Sequence, residues 1–250
     1  MPLVSNGVSI SFFPEKLLEV GGWPISNTIF MSWITMVLLI GFGLFIKSRL
    51  KPVPGKIQNL TEALIGGMET FMTTVTGDKE KTRKFFPLIA TLFIFILISN
   101  WLGILPGVGS IGLAEHEGEG LVPFFRSTNS DINMTLALAI ISVMSTQVFG
   151  ILMVGFFHHF SRFISFKSPI RFFTGILELI AEIAKIISFS FRLFGNIFAG
   201  EVLLMVIFFL VPLIVPLPFM LLEIFVGFIQ ALVFAMLTLV FLTVATSKEH

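Results

Sequence analysis

The chain has 250 residues, of which 55% are A, V, I, L, M, F, W, Y or C and 12% are charged, about half the ~25% charged share of a soluble globular domain. That composition excludes an ordinary water-soluble enzyme and a disordered tail, and the 16 Lys plus Arg against 15 Asp plus Glu leave a formal net charge of only +1, so no nucleic acid is expected as a partner. The absence of cysteine removes disulfides, thiolate zinc sites and iron–sulfur clusters, and no cofactor is expected.

Burying an unpaired charge in hydrocarbon is costly, so charge-free stretches of ~18 or more residues mark membrane spans. The tail 1–27 lacks a basic start and a cleavage site, so no removable signal peptide is expected. Val20 to Ile46 is charge-free and predicts a helix over 28–47. Over 55–77, Ile57, Leu60, Leu64, Met68, Phe71 and Val75 recur at intervals of three and four while Lys56, Glu62, Glu69 and Thr73 fall elsewhere, the pattern of an amphipathic helix lying along the membrane face. Phe85 to Ala114 predicts a helix over 84–105, with Trp101 beside Asn100 as an interfacial anchor. The loop 106–131 carries Glu115, Glu117 and Glu119 among glycines and reads as solvated.

Ile132 to Ser161 predicts a helix over 132–158. Its Ser142, Ser145, Thr146 and Gln147 either line a water path or glue helices together. His158 and His159 near its end read as a solvated surface rather than a metal site, because no third ligand stands at suitable spacing. The remainder, 168–246, is broken by Pro212, Pro216 and Pro218, since proline lacks the amide and clashes with the preceding turn; it reads as a helix hairpin. The fold class is therefore an all-α integral membrane protein of five crossing helices and one interfacial helix, forming a single membrane domain over 1–250.

Lys and Arg collect in cytoplasmic loops. Lys47 to Lys84 holds eight of them and Arg162 to Arg171 three, whereas the tail, the 106–131 loop and the proline turn together hold only Lys16 and Arg126. The N-terminus is thus expected outside and the C-terminus in the cytoplasm.

A helix from Ser168 to Leu210 would extend ~60 Å, twice the hydrocarbon thickness. It must tilt steeply or break, with Gly195 and Gly200 the points of weakness, and the following helix must tilt beside it. At 100° per residue Glu178, Lys185 and Arg192 share one stripe, with Ser188 and Asn196 one turn either side of Arg192. Glu201 falls half a turn round. On the last helix Glu223 and Gln230 are seven apart on one face, and Gly227 between them allows close approach of another helix. Counted outward from the proline turn, Glu201 and Glu223 lie near the external side and Gln230 reaches the depth of Arg192.

Arginine at mid-membrane costs about +2.5 to +3.5 kcal/mol on translocon scales. That cost weighs a functional role above a structural ion pair with Glu201 or Glu223. An arginine attracts a carboxylate without passing protons itself, which makes Arg192 a barrier rather than a relay.

The run Ser188-Phe189-Ser190-Phe191-Arg192-Leu193-Phe194-Gly195-Asn196-Ile197-Phe198-Ala199-Gly200-Glu201 closely resembles the signature helix of subunit a of F-type ATP synthases, the membrane Fo sector. Asp131 to Leu138, Ile229 to Phe234 and the ending Thr246 to His250 agree with the same family. The resemblance implies a proton-conducting stator subunit with two offset half-channels facing a rotating ring of proteolipid c subunits, held beside the peripheral-stalk subunit b and the remainder of the F1Fo complex, with membrane lipid around it. By match to the family motif, Arg192 separates the half-channels, Asn196 and Gln230 line the site near it, and Glu201 and Glu223 belong to the external half-channel. Many family members carry histidine at one position of that last pair; here it is Glu223.

Glu178, Glu182, Lys185 and Ser188 would fall towards the cytoplasmic exit, although Glu182 and Lys185, three apart, equally suit a plain ion pair. The chain is not expected to be an enzyme on its own, because no nucleotide-binding glycine loop or hydrolase motif occurs in it. A secondary ion-coupled transporter is the alternative, disfavoured by five crossings and no internal repeat. The compartment implied is a bacterial inner membrane, with an organelle inner membrane as the alternative.

Overall fold

The computed structural model describes residues 16–20, 23–105, 112–114, 121–123, 126–163, 169–211 and 214–247. The acidic stretch Glu115, Glu117 and Glu119 and the run Pro212 to Leu213 lie outside the described residues. Among the described residues seven helices dominate: α1 (Asn27–Arg49), α2 (Lys56–Thr76), α3 (Lys79–Ile104), α4 (Ile132–Val154), α5 (Phe156–Phe163), α6 (Pro169–Leu210) and α7 (Pro216–Ala245). Five of them, α1, α3, α4, α6 and α7, are long and apolar enough to cross a membrane. Two small antiparallel hairpins add to the helices. β1 (Lys16–Val20) pairs with β2 (Trp23–Ser26), Val20 opposite Trp23, and β3 (Gly112–Ala114) pairs with β4 (Leu121–Pro123), Leu113 opposite Val122.

Local chemistry sets the helix ends. α2 stops where Gly77 takes φ 69, a left-handed conformation that costs glycine little, and its amide bonds the Thr73 carbonyl at 2.9 Å. α3 starts at Lys79, ahead of its apolar run, because the Asp78 carboxylate accepts from the Glu80 amide at 2.8 Å and caps the charged first turn. Asp131 caps α4 in the same way, accepting from the Asn133 amide at 2.9 Å. The fourth apolar stretch, expected to run to 158, ends at Val154: Gly155 adopts φ 97 and the chain restarts as the short α5.

α6 is one unbroken helix of 42 residues, ~63 Å at 1.5 Å per residue. The expected weakness at Gly195 and Gly200 is not used, since both lie inside the continuous helix. A helix of that length cannot stand upright within a ~30 Å hydrocarbon layer. α7 opens at Pro216, where a proline's missing amide would have no helical partner in any case.

The chain divides into two compact units, one of Met1–Ser48, Ile94–Thr135 and Arg192–Leu232, the other of Arg49–Phe93, Leu136–Phe191 and Val233–His250. The second is held by apolar and aromatic packing: Phe85, Ile89, Phe189, Phe234, Leu239 and Leu242 are buried. Phe189 lies 4.9 Å from Phe234 and 5.7 Å from Phe241, ring centre to ring centre, and Phe85 meets Phe149 edge-on at 5.4 Å, geometries that favour aromatic pairs beyond their buried area. The first buries Met31, Ile96, Leu193, Ile197 and Ala231, and with them an unusual set of polar side chains, among them Asn27, Thr28, Asn100, Thr128 and Asn129.

Candidate functional site: a buried polar track in the first unit

The α6 segment of the first unit begins at Arg192. Its buried residues, Leu193, Ile197 and Gly200, recur at helical spacing and face the interior, so Arg192, Gly195, Asn196 and Ala199 fall on the opposite, exposed face. A single arginine among small residues is therefore presented outward from the chain, where another helix could approach closely.

Asn196 and Gln230 meet: the Asn196 side-chain amide donates to Gln230 Oε1 at 2.8 Å, joining α6 to α7. Gln230 is buried, and its Nε2 has no hydrogen-bond partner among the described residues. A buried donor without a partner costs about 1–3 kcal/mol. This amide can donate to water or to another acceptor.

Glu223 lies on α7, 6% exposed. Its carboxyl occupies the slot left by the absent side chain of Gly200; a Cβ there would collide with both carboxylate oxygens. Gly200 thus serves as a seat for Glu223 rather than as a break in α6. Glu201, the next residue, accepts an ion pair from Arg126 Nε at 3.1 Å, with Arg126 9% and Glu201 29% exposed. From the sequence alone, Arg126 belongs to a loop that reads as solvated.

The whole segment from Arg126 to Asp131 is buried, with a single 3-10 turn at Thr128–Ser130. The expectation that the 106–131 connection is solvated throughout is corrected here. Asn129 Nδ2 donates to Asn100 Oδ1 at 2.7 Å, Asn100 Nδ2 donates to the Gly227 carbonyl at 3.1 Å, and Thr28 donates to the Asp131 carboxylate at 2.9 Å. Trp101 adds a bond from Nε1 to the Ile224 carbonyl at 3.1 Å, so it pins α7 besides facing outward. Gly227 allows this approach: a Cβ there would lie 3.1 Å from that of Asn100. Around this network Ser99 Oγ, Ser127 Oγ, Thr128 Oγ1 and Asn129 Oδ1 are buried without a partner among the described residues, as expected of atoms that bind internal water.

The second unit holds the other sequence-derived candidates. Lys185 Nζ bonds Glu182 Oε1 at 2.6 Å and lies 4.4 Å from the centre of the Phe241 ring. Ser188 is on the exposed side of α6, and Glu178 is half-buried. Ser142 and Thr238 share a hydroxyl bond at 2.8 Å, and Gln147 bonds His159 Nε2 at 2.8 Å; these polar residues join elements within the unit. His159 is buried, which corrects its reading as solvated surface. Among the described residues no cluster of His, Cys, Asp or Glu could hold a metal ion.

Compared with known families, residues 29–243 match the model of the ATP synthase A chain. The chain is similar to the ATP synthase subunit a of Syntrophobacter fumaroxidans, 37% identical over 241 residues that cover 95% of this chain and 91% of that protein. It is also similar to the subunit a of Geotalea daltonii, 37% identical with 96% and 97% covered, and to that of Geobacter sulfurreducens, 37% identical with 95% and 93% covered.

Proposed function

This chain belongs to the ATP synthase A chain family, and from that premise we propose that it is the stator of a rotary proton motor, offering two offset half-channels to the carboxylates of a rotating c-ring. Membership makes it an Fo subunit of the F1Fo complex in a bacterial membrane. The observation that supports the finer reading is Arg192 on an exposed face with Gly195 and Ala199, and Asn196, one turn along that face, bonded to Gln230 of α7.

A carboxyl on a ring helix is stable in hydrocarbon only when protonated, and beside a guanidinium it is stable ionised. Passage of the ring past Arg192 therefore releases a proton on one side and readmits one from the other. Arginine does not deprotonate, so Arg192 keeps the two sides apart while attracting each carboxylate in turn. Moving one charge through the potential is worth about 2.3 kcal/mol per 100 mV, which sets the direction of rotation. ATP chemistry resides on partner subunits.

Glu223 and Glu201 serve the external half-channel, fed through the buried polar atoms of Ser99, Ser127, Thr128 and Asn129. Asn196 and Gln230 shape the site at the arginine, Gln230 Nε2 being the donor left for the ring carboxylate or a water. Glu178, Glu182, Lys185 and Ser188 lead to the cytoplasmic exit. With eleven Lys and Arg in the two connections between 47 and 171 and two in the others, the N-terminus lies outside and the C-terminus inside. α2, with Ile57, Leu60, Leu64 and Phe71 exposed, lies along the membrane face.

The chain has no native cysteine, which gives a clean test. A cysteine at Ala199, paired with one on the ring helix beside its carboxylate, is expected to form a disulfide in the intact complex under mild oxidation. A cysteine there that never cross-links to the ring, while one on the buried face at Ile197 does, would overturn the assignment of this face.

A further inference from the structure

The two acidic side chains grouped above are not equivalent. Glu201 is met by Arg126 Nε at 3.1 Å to Oε1 and 3.5 Å to Oε2. Glu223 sits over Gly200, 6% exposed, with no ion pair or hydrogen bond to its carboxyl among the described residues. Arg126 is itself fixed. It heads the buried run to Asp131, in which Ser127 fits against Gly103 where a Cβ would collide, Asn129 bonds Asn100, and Asp131 accepts from Thr28 and caps α4.

Resting on the half-channel reading, we propose that Arg126 is a positioning residue: it holds Glu201 as an ion-paired carboxylate and thereby leaves Glu223 as the single carboxyl that carries protons between the external water and the ring. In this division Glu223 accepts a proton from water on the external side, becomes neutral, and gives the same proton to an ionised ring carboxylate, returning to its starting charge. Glu201 exchanges no proton. It supplies a negative charge that faces the guanidinium of Arg126. Two carboxyls on neighbouring helices would otherwise compete for the same proton; the ion pair removes the part-buried Glu201 from the relay. Loss of Arg126 alone would return Glu201 to that coupling and leave a part-buried charge unpaired.

The experiment is carbodiimide labelling of the intact ATP synthase in membrane vesicles, with adducts located by mass spectrometry. A protonated carboxyl adds to dicyclohexylcarbodiimide: its oxygen bonds the central carbon, its proton passes to a nitrogen, and rearrangement leaves a stable acylurea. A carboxylate held by arginine has no proton to give. In the wild type the adduct is expected on Glu223 and not on Glu201. In Arg126→Gln it is expected on Glu201 as well, with ATP-driven pumping reduced below the wild-type rate because a part-buried charge is left unpaired. Arg126→Lys is expected to keep Glu201 unlabelled.

Equal labelling of both carboxyls in the wild type, no adduct on Glu223, or an unlabelled Glu201 in Arg126→Gln would each overturn the proposal. Should Arg126→Gln fail to assemble, the wild-type pattern and Arg126→Lys still decide. A complex carrying Arg192→Ala that pumped normally would sink the half-channel reading while leaving the labelling contrast intact, so the two failures are distinguishable.

Discussion

The two units of the chain hold themselves together by different means. In the unit that contains Arg192, polar side chains tie distant elements: Thr28 to Asp131, Asn129 to Asn100, Asn100 to Gly227, Arg126 to Glu201 and Asn196 to Gln230. The other also has ties between elements, Ser142 to Thr238 and Gln147 to His159, but there Thr61, Thr70, Thr73 and Thr174 bond back to carbonyls four residues earlier, and the interior is filled by Phe85, Phe189 and Phe234. Apolar packing between helices is tolerant of exchange, whereas a buried polar network fails when one member is lost. The first unit carries a stability cost that apolar side chains would avoid, which supports the proton path proposed for it.

Substitutions should separate the two regions by the size of their effects. The largest is expected at the seat of Glu223. Gly200→Leu puts a side chain where that carboxyl now lies, so ATP-driven acidification of vesicles should fall by at least about tenfold, the ~1.4 kcal/mol per decade of displaced barrier being readily exceeded by a steric clash of this kind. Retained pumping would mean that the carboxyl works equally well elsewhere.

Next comes Asn100→Ala, which deprives Asn129 of its acceptor and Gly227 of a donor. About 1–3 kcal/mol is expected for the orphaned buried amide, read as a lower midpoint of thermal inactivation of the purified complex; an unchanged midpoint would show that the network is not what registers α3 on α7.

A smaller effect is expected in the other unit from Ser142→Ala. Thr238 loses its partner there but keeps its bond to the Phe234 carbonyl at 2.8 Å, and interhelical bonds of this type average ~0.6 kcal/mol. A loss as large as that at Asn100 would abolish the contrast between the units.

Much of this was legible in the sequence, and the parts that were not have identifiable causes. Charge-free runs gave α1, α3 and α4 because hydrocarbon admits few charges, and the prolines split the long remainder into α6 and α7. Counting outward from that turn brought Gln230 to the depth of Arg192, and in the structure Gln230 meets Asn196, one turn from Arg192. Gly227 was legible as a point of close approach because nothing else explains a glycine between two polar residues on one helical face.

Gly200 was misread. A glycine in a long helix suggests weakness, and only the partner helix shows that its missing side chain is filled by Glu223. Arg126 escaped because Ser127, Thr128, Asn129, Ser130 and Asp131 are polar, and polarity next to a glycine- and glutamate-rich loop suggests solvent. The available signal was an arginine and a helix-capping aspartate immediately before an apolar run, in a chain whose Glu201 otherwise had no cation assigned to it. Gly155 and the buried His159 were missed because the apolar pattern runs on through Phe156, Phe157 and Phe160; backbone conformation at one residue, φ 97, ended the helix.

The most direct test of the central claim is potential-driven ATP synthesis in vesicles bearing a fully assembled complex with Arg192→Ala. The account predicts that synthesis is abolished although the complex assembles and its soluble part still hydrolyses ATP, because no fixed cation then separates the two half-channels. Synthesis at the wild-type rate would contradict the account and reduce Arg192 to a structural charge.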